Sequence, residues 1–149
     1  MWIPKKTFMV VVAACYFLVT QMWTSSSVLF THAQEATNRY EVAGITDPQA
    51  FETFYGKLQK WVSKGNKEAI ARYVQYPLRV NKDGQSRFVA NEKQFVTEYD
   101  QIMTEKVRHA LQQQDVKQTF VNYQGVMVGS GELWIRQNGD KFVIVAINL

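Results

Sequence analysis

Residues 131–149 read GELWIRQNGDKFVIVAINL. Asn138-Gly139 stands between two runs rich in β-formers. That is the strongest short-range hairpin signal, because a type I′ turn needs positive φ at both central positions. Turning there pairs Gln137 with Asp140, Arg136 with Lys141, Ile135 with Phe142, Trp134 with Val143 and Leu133 with Ile144. One face then holds Leu133, Ile135, Phe142, Ile144 and Ala146. The other holds Trp134, Val143, Val145 and Ile147. Both faces are apolar away from the turn, whereas a strand with one wet face alternates cleanly. Helices can cover one face. The other makes Trp134, Val143, Val145 and Ile147 a candidate interaction face for a homodimer or a protein partner. The alternative is a buried central strand with modest apolar exposure, which is common.

Upstream, Thr119 to Val128 is a further β-rich run, closed by the turn Gly129-Ser130-Gly131. Leu78–Lys82 and Ser86–Ala90 flank Asp83-Gly84, a second hairpin signal. Helical spacing dominates before and between these segments. Asp47 is a good N-cap and Pro48 suits the first helical position. Phe51, Phe54, Tyr55, Leu58, Trp61 and Val62 then recur on one face. Asn66 recaps a short helix carrying Ala69, Ile70, Tyr73 and Val74, which ends at Gln75-Tyr76 because Pro77 disfavours helix at the residue before it. Asn91, with Gln94 three residues on, starts a third helix whose apolar face is Phe95, Tyr99, Ile102 and Met103. Thr104 restarts a segment bearing Val107, Ala110 and Leu111. The pattern predicts an α+β domain over residues 46–149, with residues 34–45 as a tether.

The first 33 residues belong to a different class. MWIPKK leads into an apolar run from Thr7 to Trp23, and small and polar residues follow to Thr31-His32-Ala33. This is the pattern of an export signal cleaved after Ala33. Two alternatives stay open. Val12-Ala13-Ala14-Cys15 looks like a lipobox, which would lipidate Cys15, although the apolar run continues past it. Residues 7–23 also reach the lower end of the membrane-spanning range, which would leave an uncleaved anchor. The expected location is the periplasm, with a membrane-anchored protein or a lipoprotein as the alternatives.

The chain has 149 residues, 17 Lys+Arg, 13 Asp+Glu and one Cys. Lys5 and Lys6 sit in the leader, so the remaining charges nearly balance. They are scattered, with no basic run, which argues against nucleic-acid binding. With Cys15 in the leader, the domain has no disulfide, thiolate metal site or cysteine nucleophile. His109 is the one histidine after the leader, and no acid is spaced around it as a metal ligand. There is no Gly-x-Ser-x-Gly elbow and no phosphate-binding glycine loop. No metal and no cofactor is expected.

The order of elements resembles the nuclear transport factor 2-like superfamily over roughly Asp47 to Leu149. The residues that carry the likeness are Tyr76-Pro77-Leu78, Phe95-x-x-x-Tyr99-Asp100, and the closing Gly131-Glu132-Leu133-Trp134-Ile135 with Val143-Ile144-Val145-Ala146-Ile147-Asn148. The chain looks more like the exported bacterial branch than the superfamily's known enzymes. The resemblance implies N-terminal helices packed on a strongly curved, mainly antiparallel, cone-like sheet, with dimerisation through its outer face. Two functions follow as expectations. The first is an exported, non-enzymatic binding domain, protein-binding or immunity-like. The second is a small-molecule isomerase or lyase using Asp/Tyr acid–base chemistry inside the cone. Tyr76, Tyr99, Tyr123 and Glu132 are the candidate pocket residues for either. Asp100 points about 100° away from its neighbour Tyr99 on a helix, so the two do not enter one core together.

Overall fold

A computed structural model describes residues 37–149. The leader, Cys15 and Ala33 lie outside the described residues. Five helices and a six-stranded sheet make an α+β fold: α1 (Pro48–Ser63), α2 (Lys67–Ala71), β1 (Val74–Lys82), β2 (Gln85–Val89), α3 (Glu92–Thr97), α4 (Tyr99–Ile102), α5 (Glu105–Gln113), β3 (Phe120–Asn122), β4 (Gly125–Val128), β5 (Leu133–Asn138) and β6 (Lys141–Asn148). The strand order is β2-β1-β6-β5-β4-β3. All neighbours are antiparallel except β1 and β6, which run parallel. The sheet is open and not strongly curled, which corrects the strongly curved cone expected from the sequence. Among the described residues no helix is long and apolar enough to cross a membrane.

The helices form where their caps and apolar stripes dictate. Asp47 accepts a hydrogen bond from the Ala50 N–H at 2.9 Å, and Pro48 follows at the first position. This satisfies one orphan donor and removes another. Asn66 and Asn91 repeat the device, accepting from the N–H groups of Ala69 and Gln94. The buried side of α1 is Phe51, Phe54, Tyr55, Leu58 and Val62. It meets β6 through Phe142, whose ring centroid lies 5.4 Å from Phe51 and 5.5 Å from Phe54. Such tilted and edge contacts add to the area buried. Phe95, Tyr99, Ile102, Met103, Val107 and Leu111 close the rest of the same core.

Residues 40–45 are part of the fold and not a tether. Tyr40 and Ile45 are fully buried and Ala43 nearly so. The Tyr40 hydroxyl lies 3.2 Å from both a Glu52 carboxylate oxygen and the Val116 carbonyl. Arg39 donates to the Thr119 carbonyl at 2.6 Å. Three buried residues without helical or alternating spacing leave no periodic trace, which is why pattern reading places the boundary at 46.

Four further expectations change in the structure. The second helix stops at Ala71, and Tyr73-Val74 leads into β1. The run 119–128 is two strands, broken where Asn122 accepts a hydrogen bond from the Gln124 N–H at 2.8 Å. The final hairpin is shifted by one residue: Asn138 pairs with Lys141, Arg136 with Val143 and Ile135 with Ile144. Of the two central residues Gly139 and Asp140, only the glycine has positive φ, which fits a type II′ turn. The type I′ signature, positive φ at both positions, occurs at Asp83-Gly84. Lastly, β6 bulges. Ile135 faces Ile144 but Trp134 faces Ala146, so Val145 is an extra residue. The inserted residue lets Ile144 and Ile147 both point into the core, and it turns Ala146 to the other face. Ile147 is therefore a core residue, not part of the interaction face.

Candidate functional site on the uncovered sheet face

The register sorts every strand residue to one of two faces. Leu78, Val80, Val89, Val126, Val128, Leu133, Ile135, Ile144 and Ile147 join the core cluster shared with the helices. The opposite face carries Phe88 from β2, Arg79 and Asn81 from β1, Val143, Ala146 and Asn148 from β6, Trp134 and Arg136 from β5, Met127 from β4 and Phe120 from β3. Val143 and Ala146 are buried yet lie outside the core cluster.

A concavity of about 550 Å³ opens on this face. It is lined by Gln75, Arg79, Asn81, Tyr123, Gln124, Trp134, Arg136, Val145, Ala146 and Asn148. Among the described residues no helix contributes to its walls. Two irregularities lie side by side beneath it. One is the Val145 bulge; the other is the stretch of β1 between Val74 and Arg79, where pairing with β6 is broken. Bulges bend a strand and raise its local twist, which dishes an otherwise gently twisted face. Pro77 falls in the broken stretch, where a missing N–H costs the ladder nothing. Gly125 holds the opposite wall. Its φ is +136°, and a Cβ there would lie 2.5 Å from the Ile135 carbonyl oxygen and 2.8 Å from the Arg136 side chain. Only glycine lets β4 come this close to β5.

The polar groups of the concavity divide into fixed and free. Asn81 donates to the Asn148 side chain at 2.6 Å, Asn148 donates to the Gly131 carbonyl, and the Ser86 hydroxyl donates to Asn81 at 2.6 Å. That network ties β2, β1, β6 and the turn before β5 together. Arg79 and Arg136 are exposed, and among the described residues neither has an ion-pair or hydrogen-bond partner. The Gln75 and Gln124 side chains are likewise uncommitted. No Asp or Glu lines the concavity. The arrangement is a dished and mainly polar concavity that holds an indole and a phenol, ringed by free donors of one sign of charge.

The residues singled out from sequence fall in several places. Tyr123, Trp134 and Val145 meet on the concavity, and Val143 shares their face. Tyr123 projects from the β3–β4 turn and is 75% exposed. Glu132 lies elsewhere, in a second surface concavity of about 500 Å³ beside Lys106, His109 and Gln114. Its carboxylate accepts from the Ser130 N–H at 2.6 Å and sits 3.8 Å from the Lys106 ammonium, so it braces the turn into β5. The Tyr76 hydroxyl donates to the Ala71 carbonyl at 3.0 Å, and burial pushes its pKa up. Tyr99 is buried with its hydroxyl unpartnered among the described residues. Its ring packs on Phe95 and lies under the Lys67 ammonium. The four pocket candidates therefore do not converge. Asp100 points outward to Lys67 and Arg108, whose hydrogen bonds hold its carboxyl below the usual range. Among the described residues no three of His, Cys, Asp and Glu gather as metal ligands do.

Sequence reading sets Arg136 on the same hairpin face as Trp134 without giving it a role, and it misses Arg79, Gln75 and Gln124. Their signal was present in a negative form: none of the six strands contains an Asp or Glu. Comparison with protein-family models, with curated proteins and with solved structures finds no match to the chain.

Proposed function

We propose that this chain is an exported, non-enzymatic binding domain of nuclear transport factor 2-like architecture, whose partner seats on the uncovered sheet face. The observation that carries the reading is the concavity itself. It pairs Trp134 and Tyr123 with two arginines that, among the described residues, are unpaired and on a concavity that no helix lines. Trp, Tyr and Arg are the side chains most enriched where binding energy concentrates. Of the four exposed large hydrophobic residues among the described ones, Phe88, Phe120 and Tyr123 stand on or beside the same face. Exposed apolar area gathered on one surface marks an interaction site. The order helix, helix, hairpin, helices, four strands and the parallel β1–β6 pairing support the architecture. The signal-like leader supports export. Tyr76, Tyr99 and Glu132 do not line the concavity, which favours binding over acid–base chemistry there.

The test is protection in place. Gln124→Cys puts a thiol on the rim at an exposed position. A membrane-impermeant maleimide is expected to label it fully in the purified chain and poorly in the intact envelope, read at the peptide containing residue 124. Equal labelling in both states would remove this face as the binding surface.

A further inference from the structure

Resting on that reading of the uncovered face, we infer that its occupant is an acidic, extended segment of another protein and not a second copy of this chain. Charge is the first argument. Arg79 on β1 and Arg136 on β5 flank the concavity with β6 between their strands, roughly 10 Å apart across the sheet and roughly 7 Å offset along it, because Arg79 lies level with Trp134, two residues before Arg136. Both are exposed and free of ion pairs among the described residues, and no acid lines the concavity. Elsewhere, Arg87 and Arg108 pair with carboxylates and Arg39 with the Thr119 carbonyl, while Arg72 is the other exposed arginine without an ion-pair or hydrogen-bond partner among the described residues and stands beside Glu68 and Glu92. Two guanidiniums left without partners across one concavity, with the Gln75 and Gln124 amides beside them, match a ligand bearing at least two carboxylates. Arginine is suited to this because its planar fork binds a carboxylate with two hydrogen bonds.

The second argument is extent. Phe88 on β2 and Phe120 on β3 are 59% and 56% exposed and stand on the two edge strands, with Trp134 and Met127 between them. Five strand spacings separate the edges, roughly 24 Å. A row of that width, apolar except at Arg79, suits a polypeptide segment laid across the strands better than a single small anion.

The third argument excludes the homodimer. A two-fold interface sets the same patch on both partners. Here it would bring Arg79, Arg136 and Lys141 of each copy to a face whose strands carry no carboxylate. Like charges brought together on a closing interface oppose it.

The test uses the full chain in the cells that make it, with Gln124 replaced by the photo-crosslinking residue benzoylphenylalanine. Illumination is expected to link it to a peptide of another protein carrying two or more Asp or Glu residues near the linked position. The yield is expected to fall about tenfold in the Arg79→Glu, Arg136→Glu double variant, and to persist in the Arg79→Lys, Arg136→Lys variant. Unchanged melting of both variants shows that the effect is not unfolding. A link to a second copy, a link to a peptide without acids, or a yield indifferent to charge reversal would each overturn the inference. Protection of Gln124→Cys with no protein adduct would overturn it too, because an acidic saccharide or small anion then fills the face while the binding reading stands. Loss of both protection and adduct would remove the face itself.

Discussion

At the scale of single residues, the core holds tyrosines with opposite hydroxyl economies. Tyr40 is fully buried and its hydroxyl reaches Glu52 and the Val116 carbonyl. Tyr99 is buried to within 2% and its hydroxyl has no partner among the described residues. Removing a satisfied buried group leaves its partners unpaired, whereas removing an orphaned one relieves a desolvation cost. Tyr40→Phe is therefore expected to lower stability by about 1–3 kcal/mol, and Tyr99→Phe to leave it unchanged or raise it by up to about 1 kcal/mol, both read from urea midpoints. A loss at Tyr99 comparable to that at Tyr40 would contradict the packing described. A second residue sets an acid response. Glu98, between α3 and α4, accepts from Gln94 at 2.8 Å and from Arg87 at 2.6 Å, and these bonds hold its pKa below the usual carboxylate value. A lowered folded pKa means that Glu98 stabilises the fold above its unfolded pKa and that this contribution is lost as pH falls through the folded one. Glu98→Gln should reduce stability at pH 7 and narrow the drop from pH 7 to pH 3. Parallel stability–pH curves for parent and variant would show that Glu98 contributes nothing.

At the scale of elements, the decisive feature is one residue long. The Val145 bulge puts Ile144 and Ile147 on the same side, three positions apart, where a regular strand would place them on opposite sides. Deleting Val145 leaves Ile144, Ala146 and Ile147 in simple alternation with the same faces. The deletion should therefore fold, losing no more than about 2 kcal/mol, while deleting Val143 should flip one end of β6 and abolish cooperative unfolding. Thermal melts of the two deletions decide the matter, and the reverse ranking would exclude the bulge. The same feature shows where the sequence could be read and where it could not. Helices announced by Asp47-Pro48, Asn66 and Asn91 begin where those residues place them, because a cap is a local hydrogen bond. The strands were legible as β-rich runs, but their register was not. In Phe142-Val143-Ile144-Val145-Ala146-Ile147 every residue is apolar, so no polar position marks which way each points. Asn138-Gly139 fixed the hairpin to within one residue, and the error came from the choice between two turn types that both accept glycine. The site followed the register. Trp134 was found because it is conspicuous, while Arg79 and Arg136 become meaningful only once β6 is known to lie between their strands.

At the scale of the whole molecule, the described carboxylates lie on helices, turns and the N-terminal segment, while the uncovered sheet face is basic and aromatic. The six ion pairs among the described residues lie away from β1, β5 and β6. That separation bears on self-association. Two copies meeting through their sheets would bury Trp134, Met127 and the flanking phenylalanines, but would also bring like charges together without a carboxylate from either strand set. The apolar gain is insensitive to salt, whereas the repulsion is screened: the Debye length falls from about 10 Å at 0.1 M to about 3 Å at 1 M. The chain as cells accumulate it is thus expected to scatter light as a monomer at tens of micromolar in 0.1 M salt. Any association through this face should strengthen on raising the salt to 1 M, and Arg79→Gln with Arg136→Gln should reproduce that strengthening at 0.1 M. A tight dimer at low salt that weakens as salt is added would mean that the arginines attract across the interface. The charge argument, and the exclusion of a second copy that rests on it, would then fall.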